Sequence, residues 1–180
     1  MLPDTAPGAS GGSTCLDLPT RRATKCLARA LASAIAPGDA VILTGALGAG
    51  KTFLVRALCR ARGLDASVRV VSPTFTLIRE VATVPPIAHA DLYRLTSAEE
   101  AKQLGLLELR DRGWVLIVEW GERHLEAIGP DSLMLSISLD PRRATLTASG
   151  VRSSALRDQV AACFEASARA ISGERCSPRQ

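Results

Sequence analysis

The chain has 180 residues, 47% of them apolar, which is enough for one domain with a substantial core and too short for two comfortable ones. No run approaches the roughly 20 continuous apolar residues that span a bilayer, and the N-terminus lacks a basic-then-apolar signal, so we expect a cytoplasmic protein without a membrane anchor. Five scattered cysteines without metal-ligand spacing indicate free thiols, and a net charge of +4 is only weak support for a nucleic-acid partner.

The first predicted elements lead to a glycine-rich loop. Residues 1–14 are rich in Pro, Gly, Ser and Thr and predict a disordered tail, which precedes a main domain over residues 15–150. Apolar residues at helical spacing predict a helix from Thr20 to Ala36, and the apolar run Ala40 to Leu43 predicts a buried parallel strand. A second helix is predicted from Lys51 to about Arg62.

The middle of the chain alternates short strands with loops. The β-branched stretch Val68 to Val71 predicts a strand that ends before a proline, and Ile87 to Ala90 predicts another. Ser97 is expected to cap a helix whose first turn carries two glutamates. Trp114 to Val118 is the clearest later strand.

The last predicted elements are a hairpin and a long helix. Leu133 to Leu139 and Arg143 to Thr147 both alternate apolar with polar residues around a short turn, which predicts a β-hairpin. An apolar stripe from Arg152 to Ile171 predicts a terminal helix that docks on the domain or on a partner. We treat residues 151–180 as this helix and a tail.

The glycine-rich loop carries the strongest signal in the chain. Gly45-x-x-x-x-Gly50-Lys51-Thr52 matches the phosphate-binding pattern G-x(4)-G-K-[ST] and stands between a predicted strand and a predicted helix. Backbone N–H groups of such a loop cradle phosphate, while the lysine reaches the β- and γ-phosphates and the threonine hydroxyl ligates Mg²⁺. The predicted nucleotide-binding residues of the loop are Gly45, Leu47, Gly48, Ala49, Gly50, Lys51 and Thr52. The fold class that follows is α/β: a P-loop NTPase-like three-layer domain with a mostly parallel central sheet plus an antiparallel hairpin.

Two acidic residues at strand ends are candidates for the metal and for catalysis. Glu119 ends the run Val115 to Val118, and Asp91 follows a shorter run. We favour Glu119, with Thr52, as the metal ligand because its strand is longer and more apolar, and Asp91 as an acid that either positions water or lies just behind the metal's direct ligands. The reverse assignment stays open. The predicted catalytic set is Lys51, Asp91 and Glu119.

Two further features near these acids have weaker support. Ser72-Pro73-Thr74-Phe75 places two hydroxyls around a rigid proline, which suits a loop that senses the γ-phosphate or, equally well, a simple turn leaving a strand. His89 lies two residues before Asp91 and therefore on the same side of a strand. It could orient that acid or be an ordinary core histidine.

Four strings together resemble the TsaE (YjeE) family: GALGAGKT, SPTFTLI, HADLYRL with EE and LGL after it, and LIVEW, in this order between about residues 20 and 148. The resemblance implies a P-loop fold that binds ATP and Mg²⁺, hydrolyses ATP slowly, and works with the TsaD and TsaB proteins. They attach a threonylcarbamoyl group to adenosine 37 of tRNAs that read ANN codons, and the tRNA is expected to contact this subunit only indirectly. The resemblance also implies that Thr52 and Glu119 hold the metal, that activity needs Asp91, and that Thr24 lies near the nucleotide. Ala46, Ala88 and Gly121 depart from the usual family pattern.

Two alternatives remain beside this reading. A small-molecule P-loop kinase would need an acceptor pocket and a lid, for which Arg110 to Gly113 is a candidate. A nucleotide-gated binding module would use the same loop without hydrolysis. A GTPase is disfavoured because no NKxD motif occurs.

Overall fold

The computed structural model describes residues 12–172, with side chains through residue 170, as one sheet between two layers of helices. The strands are β1 (Thr14–Asp17), β2 (Ala40–Thr44), β3 (Ile78–Val81), β4 (Ile87–Asp91), β5 (Val115–Glu119), β6 (Leu133–Leu139) and β7 (Arg142–Ala148). The helices are α1 (Arg21–Ala34), α2 (Lys51–Ala61), α3 (Ala98–Lys102), α4 (Leu106–Asp111), α5 (Leu125–Ile128) and α6 (Val151–Ser172), with a 3-10 turn over Gly121–Arg123.

The seven strands follow the order β1-β7-β6-β2-β5-β4-β3. The central four, β6, β2, β5 and β4, are parallel to one another, whereas β7 and β3 run against their neighbours. Since β1 is antiparallel to β7, five of the seven strands share one direction. This architecture confirms the predicted α/β fold with a mostly parallel sheet and an antiparallel hairpin.

The two faces of the sheet bury separate apolar clusters. The larger cluster lies on one face and includes Leu27 of α1, Leu54 of α2 and Leu156 of α6. The smaller cluster lies on the other face and includes Leu106 of α4 and Ile128 of α5. Alternate residues of β2 serve the two clusters, as expected of a strand buried on both sides.

The predicted first and second helices are confirmed, with ends set by local chemistry. The hydroxyl of Thr20 accepts a hydrogen bond from Ala23 N at 3.1 Å and caps α1. Gly50 precedes α2 at φ 102°, a left-handed conformation that glycine adopts without steric cost. The chain therefore turns tightly after β2, and the first residues of α2 lie at the C-terminal edge of the sheet.

The predicted strand over Val68–Val71 is wrong. This segment is irregular, and arginine side chains of α2 donate hydrogen bonds to its carbonyl groups. Arg60 Nη2 donates to Val68 O at 2.6 Å, and Arg56 Nε donates to Val70 O at 3.0 Å. Side chains thus satisfy the backbone oxygens that a neighbouring strand would otherwise bind.

The first strand was not predicted. β1 begins at Thr14, the last residue of the predicted tail, and pairs with β7 at the edge of the sheet. It has four residues, of which only Leu16 is buried, so its alternation is too short to stand out in the sequence. Residues 1–11 of the predicted tail lie outside the described residues.

The terminal helix α6 docks on the domain itself. Leu156, Val160 and Phe164 are buried in the larger cluster against α1 and β7. Arg152 at its start forms a two-pronged ion pair with buried Asp39, with Nε 2.8 Å from Oδ1 and Nη2 2.5 Å from Oδ2. Residues 173–180 of the predicted tail lie outside the described residues. None of the helices over residues 12–172 has the length and apolar character needed to cross a membrane.

Candidate functional site

A pocket of about 360 Å³ lies at the C-terminal edge of the parallel strands, between the glycine-rich loop and the ends of β4 and β5. Its lining residues are Leu47, Gly48, Gly50, Lys51, Thr52, Phe53, Ser72, Thr74, Asp91, Tyr93, Glu119 and Trp120. The pocket brings together the predicted loop and both predicted acids. This is the edge at which ligands bind in open α/β sheets.

The loop has the backbone of a phosphate cradle. Gly45, Gly48 and Gly50 have φ values of 125°, 79° and 102°, which side-chain-bearing residues rarely adopt. A Cβ at Gly45 would stand 2.4 Å from Ile137 O on β6, and one at Gly50 would stand 2.9 Å from Arg142 Nη2. Gly45 is therefore required by close approach to backbone as well as by φ, whereas Gly50 is required by φ, because the Arg142 side chain can move aside.

Lys51 lies folded within this loop. Its Nζ donates to Gly45 O at 2.7 Å and to Ala46 O at 3.1 Å. The same ammonium group stands 3.9 Å from the ring centroid of Trp120, a cation–π distance. The two carbonyls and the ring hold the ammonium group of Lys51 at the pocket. A stronger acceptor in the pocket could replace one of the carbonyls.

Burial and charge act in opposite directions on this lysine. Burial lowers the pKa of Lys51, while the carboxylates of Glu119, Asp91 and Glu122 work to raise it, and the net direction is downward. The ammonium group therefore gives up its proton more readily than an exposed lysine. An additional anion in the pocket would stabilise the charged form.

Thr52 and Glu119 come into direct contact although 67 positions separate them in sequence. Thr52 Oγ1 donates to Glu119 at 2.9 Å from Oε1 and 3.2 Å from Oε2. One hydroxyl and one carboxylate side by side form a hard oxygen donor set, which fits Mg²⁺ when phosphate and water supply the remaining ligands. The residues present thus fit the predicted metal.

His89 contacts Glu119 instead of Asp91. Its Nε2 lies 2.9 Å from Glu119 Oε1, and its side chain is fully buried. The hypothesis that His89 orients Asp91 is therefore wrong, because its side chain reaches across to the neighbouring strand. The imidazole supports the buried side of the Glu119 carboxylate.

Asp91 organises the Ser72–Phe75 loop. Thr74 Oγ1 donates to Asp91 Oδ2 at 2.7 Å, and Ser72 Oγ donates to the same oxygen. The other carboxylate oxygen accepts from Tyr93 N at 3.1 Å. Asp91 and Glu119 are register partners on β4 and β5, so the two acids stand side by side. The loop and the second acid therefore form one hydrogen-bonded unit.

Two backbone outliers lie beside the two acids. Leu77 and Trp120 have φ values of 62° and 61°, and within residues 12–172 no other non-glycine residue has a positive φ. Leu77 O accepts from Asp91 N at 2.9 Å, and Trp120 N donates to Leu43 O at 3.0 Å. The strained conformations thus turn the chain directly beside the two acids, at a place where such strain commonly marks function.

Three predicted nucleotide-binding residues do not line the pocket. Thr24 is fully buried on α1, where its hydroxyl donates to Thr20 O at 3.4 Å. Gly45 and Ala49 belong to the loop but are absent from the pocket surface. Their predicted role in nucleotide binding stays a prediction.

Trp120, which lines the pocket, and Arg142, which lies next to the glycine-rich loop, were not predicted from the sequence. Arg142 opens β7, and its guanidinium approaches the glycine-rich loop at Gly50. The sequence did carry a signal for Arg142. Because β6 runs parallel to β2, the β6–β7 turn and the glycine-rich loop after β2 lie at the same edge of the sheet. Trp120 directly follows Glu119, and its ring contacts Lys51 and lies 5.1 Å from the ring of Tyr93.

Comparison with known proteins gives consistent matches. The family model described as "Threonylcarbamoyl adenosine biosynthesis protein TsaE" matches residues 18–146. The tRNA threonylcarbamoyladenosine biosynthesis protein TsaE of Streptomyces coelicolor is 39% identical over 138 residues, 70% of this chain and 90% of that protein. Its counterpart in Bacillus subtilis is 37% identical over 141 residues, 76% of this chain and 87% of that protein. The crystal structure of Bacillus subtilis YdiB superposes with a TM-score of 0.71 at 28% identity, covering 86% of this chain and 98% of that one.

Proposed function

The chain belongs to the TsaE family of threonylcarbamoyl adenosine biosynthesis proteins, and from that premise we propose that it is a P-loop ATPase. It binds ATP with Mg²⁺, hydrolyses it slowly, and is an accessory subunit needed for threonylcarbamoylation of adenosine 37 in tRNAs that read ANN codons. The observation that carries the proposal is the contact between Thr52 Oγ1 and Glu119 at 2.9 Å beside Lys51. P-loop nucleotidases use this combination of hydroxyl, carboxylate and ammonium around a triphosphate.

The loop and the residues around it have separate tasks in the proposed nucleotide binding. Backbone N–H groups of the loop bind the phosphates, and Lys51 exchanges a carbonyl contact for the β- and γ-phosphates. Thr52 and Glu119 would hold Mg²⁺, and the bound ion would supply positive charge that offsets the negative charge of the phosphates. Arg142, at the other side of the loop, adds a second positive charge toward the phosphates.

The hydrolytic step depends on the second acid. Asp91 lies beside Glu119 and accepts hydrogen bonds from Ser72 and Thr74, which makes it the candidate for positioning the attacking water. The loop that carries these hydroxyls would then respond to the presence of the γ-phosphate. Switches of this kind commonly work by ordering and releasing such a loop.

The purpose of hydrolysis is to reset a partner complex. We assign the TsaD and TsaB proteins as the partners, in the cytoplasm where tRNA is modified. The apolar side chains of Leu47, which lines the pocket, and of Phe75, in the loop bound to Asp91, are each 81% exposed, and a partner could sense the nucleotide state through them.

Calorimetric titration of ATP with Mg²⁺ or with EDTA tests the proposal. The wild-type chain should bind more tightly with Mg²⁺; Lys51→Ala should lose most of its affinity, and Thr52→Val should lose the Mg²⁺ dependence. Phosphate release should be slow alone and faster with TsaD and TsaB. Equal affinity for Lys51→Ala would overturn ATP binding at this loop. Phosphate transfer to an added small acceptor would favour the kinase, and binding without release would favour the gated module.

A further inference from the structure

The two helical layers carry opposite charge. Helices α1 and α2 contain seven basic residues and no acidic residue, and one of the seven is Lys51 of the loop. Helices α3, α4 and α5, with the 3-10 turn, contain six acidic and three basic residues. A net charge of +4 for the whole chain therefore conceals a strongly basic face on the α1–α2 side of the sheet.

A groove of about 450 Å³ runs along this face between α1 and α2. Its walls carry four basic side chains, and small residues line the space between them. The lining residues that matter are Lys25, Arg29, Phe53, Arg56, Ala57 and Arg60. Phe53 also lines the nucleotide pocket, so one end of this basic groove adjoins the P-loop.

No ion pair neutralises the basic groove within the part of the chain that the structure describes. Lys25 and Arg29 are exposed, and no ion pair joins them to an acid anywhere in residues 12–170. Arg56 and Arg60 donate to backbone carbonyls, including Val70 O and Val68 O. These bonds hold the guanidinium groups in place without pairing them with an acid, although the exposed Asp65 carboxylate lies close enough to Arg60 to interact with its charge.

In place of the indirect contact expected from the sequence, we propose that the basic groove binds the phosphate backbone of the tRNA substrate directly, an inference that rests on the proposed role in tRNA modification. Lys25 and Arg29, like Arg56 and Arg60, are four positions apart on their helix, so each pair repeats at about 6 Å along the axis. Two facing rows of repeated positive charge suit a polyanionic strand better than a single anion. Arg29 in particular can match phosphate through the planar fork of its guanidinium, whereas the Nη atoms of Arg60 already donate to carbonyls and add mainly charge.

A nucleic acid fits the basic groove better than an acidic protein segment. Protein interfaces concentrate binding energy in buried aromatic or aliphatic anchors. Among the residues that line this groove the one large apolar side chain is Phe53, and the others are charged residues and alanines. The surface therefore offers charge and little apolar area, which is the signature of backbone binding to nucleic acid.

Fluorescence anisotropy with a labelled, unmodified tRNA transcript and the full chain tests this inference across a series of salt concentrations. Arg29→Glu should weaken binding about tenfold and Lys25→Glu/Arg29→Glu further, and the slope of log affinity against log salt should fall by about one per lost phosphate contact. The matched control is Arg112→Glu, an exposed arginine on the opposite side of the sheet, which should bind as the wild type does.

Two outcomes would overturn the inference. Unchanged tRNA binding by the double variant would remove the basic groove as the site. Displacement of the tRNA by polyglutamate at equal charge concentration would instead identify a docking surface for an acidic protein. ATP titration of the same variants separates this inference from the proposed function, because it should give wild-type affinity. A wild-type chain that binds tRNA but not ATP would refute the ATPase and leave the basic groove standing.

Discussion

Nε2 of His89 lies 2.9 Å from Oε1 of Glu119, and the imidazole is completely buried. A carboxylate oxygen only accepts, so Nε2 carries the hydrogen. His89 Nδ1 has no hydrogen-bond partner within the described residues. The bond from Nε2 to Glu119 is therefore the one hydrogen bond of this ring there. The histidine is therefore a positioning residue for the proposed metal ligand.

Replacing His89 tests that positioning. His89→Leu should lower the Mg²⁺-dependent part of ATP affinity by about 10- to 100-fold, the usual effect of losing a bond that orients a metal ligand. His89→Gln should recover part of it, because its amide nitrogen can donate to the same oxygen. The measurement is the ratio of ATP dissociation constants with Mg²⁺ and with EDTA, at matched thermal stability. An unchanged ratio in His89→Leu would contradict the positioning role.

Arg142 and Arg143 form a matched pair for testing the missed site residue. Arg142 approaches the glycine-rich loop, whereas Arg143 is exposed and pairs with Asp17 at the sheet edge. Arg142→Ala should weaken ATP binding about tenfold, the scale of one charge-assisted hydrogen bond. Arg143→Ala should leave the affinity unchanged. Equal effects of the two substitutions in a calorimetric titration would rule out a specific role of Arg142.

The hydroxyl of Thr74 offers a way to separate hydrolysis from binding. Thr74→Val removes the 2.7 Å bond to Asp91 while keeping the shape of the side chain. We expect ATP affinity to stay near the wild-type value and the rate of phosphate release to fall about tenfold or more, since misplacement of a catalytic group is costly. Thr76→Val, an exposed neighbour, is the control. A parallel loss of affinity would mean that Thr74 binds the nucleotide itself.

The site was predictable where short sequence patterns determine position. The loop motif fixes where Lys51 and Thr52 stand, and apolar strands that end in an acid place Asp91 and Glu119 at the same edge. These residues meet because parallel strands bring their carboxyl ends together. The sequence therefore predicted that Lys51, Thr52, Asp91 and Glu119 gather around the pocket, although their roles there stay predictions.

Features that depend on contacts between distant segments were not predictable. Val68–Val71 has strand-forming residues, yet the arginines of α2 bind its carbonyls. Gly121 departs from the family pattern, and the structure gives a packing reason: a Cβ there would lie 2.7 Å from Ile128 Cδ1 and 2.9 Å from Val118 Cγ1. Charge separation between the helical layers is likewise invisible in a net charge. Each of these requires knowledge of which surfaces face one another.

Asp131 anchors the start of α6 and makes stability depend on pH. Its Oδ2 accepts from Arg152 N at 2.9 Å and its Oδ1 from Ser153 N at 2.8 Å. Burial works to raise the pKa of this carboxyl, but the hydrogen bonds from Ser153 and Arg152 outweigh it and hold the pKa below its usual value. The ionised group thus favours the folded chain.

Asp131→Ala should lower the free energy of unfolding by about 1 kcal/mol at neutral pH, the usual cost of losing a helix cap. Because the pKa is depressed in the folded state, this contribution is complete above the carboxyl's unfolded pKa and is lost as the pH falls through its folded pKa. The difference between wild type and variant in chemical denaturation should therefore be constant from about pH 6 to 8 and shrink below about pH 4. Asp158→Ala, an exposed acid on the same helix, is the control and should change stability little. If the stability difference between wild type and variant instead grew on acidification, the ionised Asp131 carboxylate would destabilise the folded chain. Burial would then outweigh its hydrogen bonds.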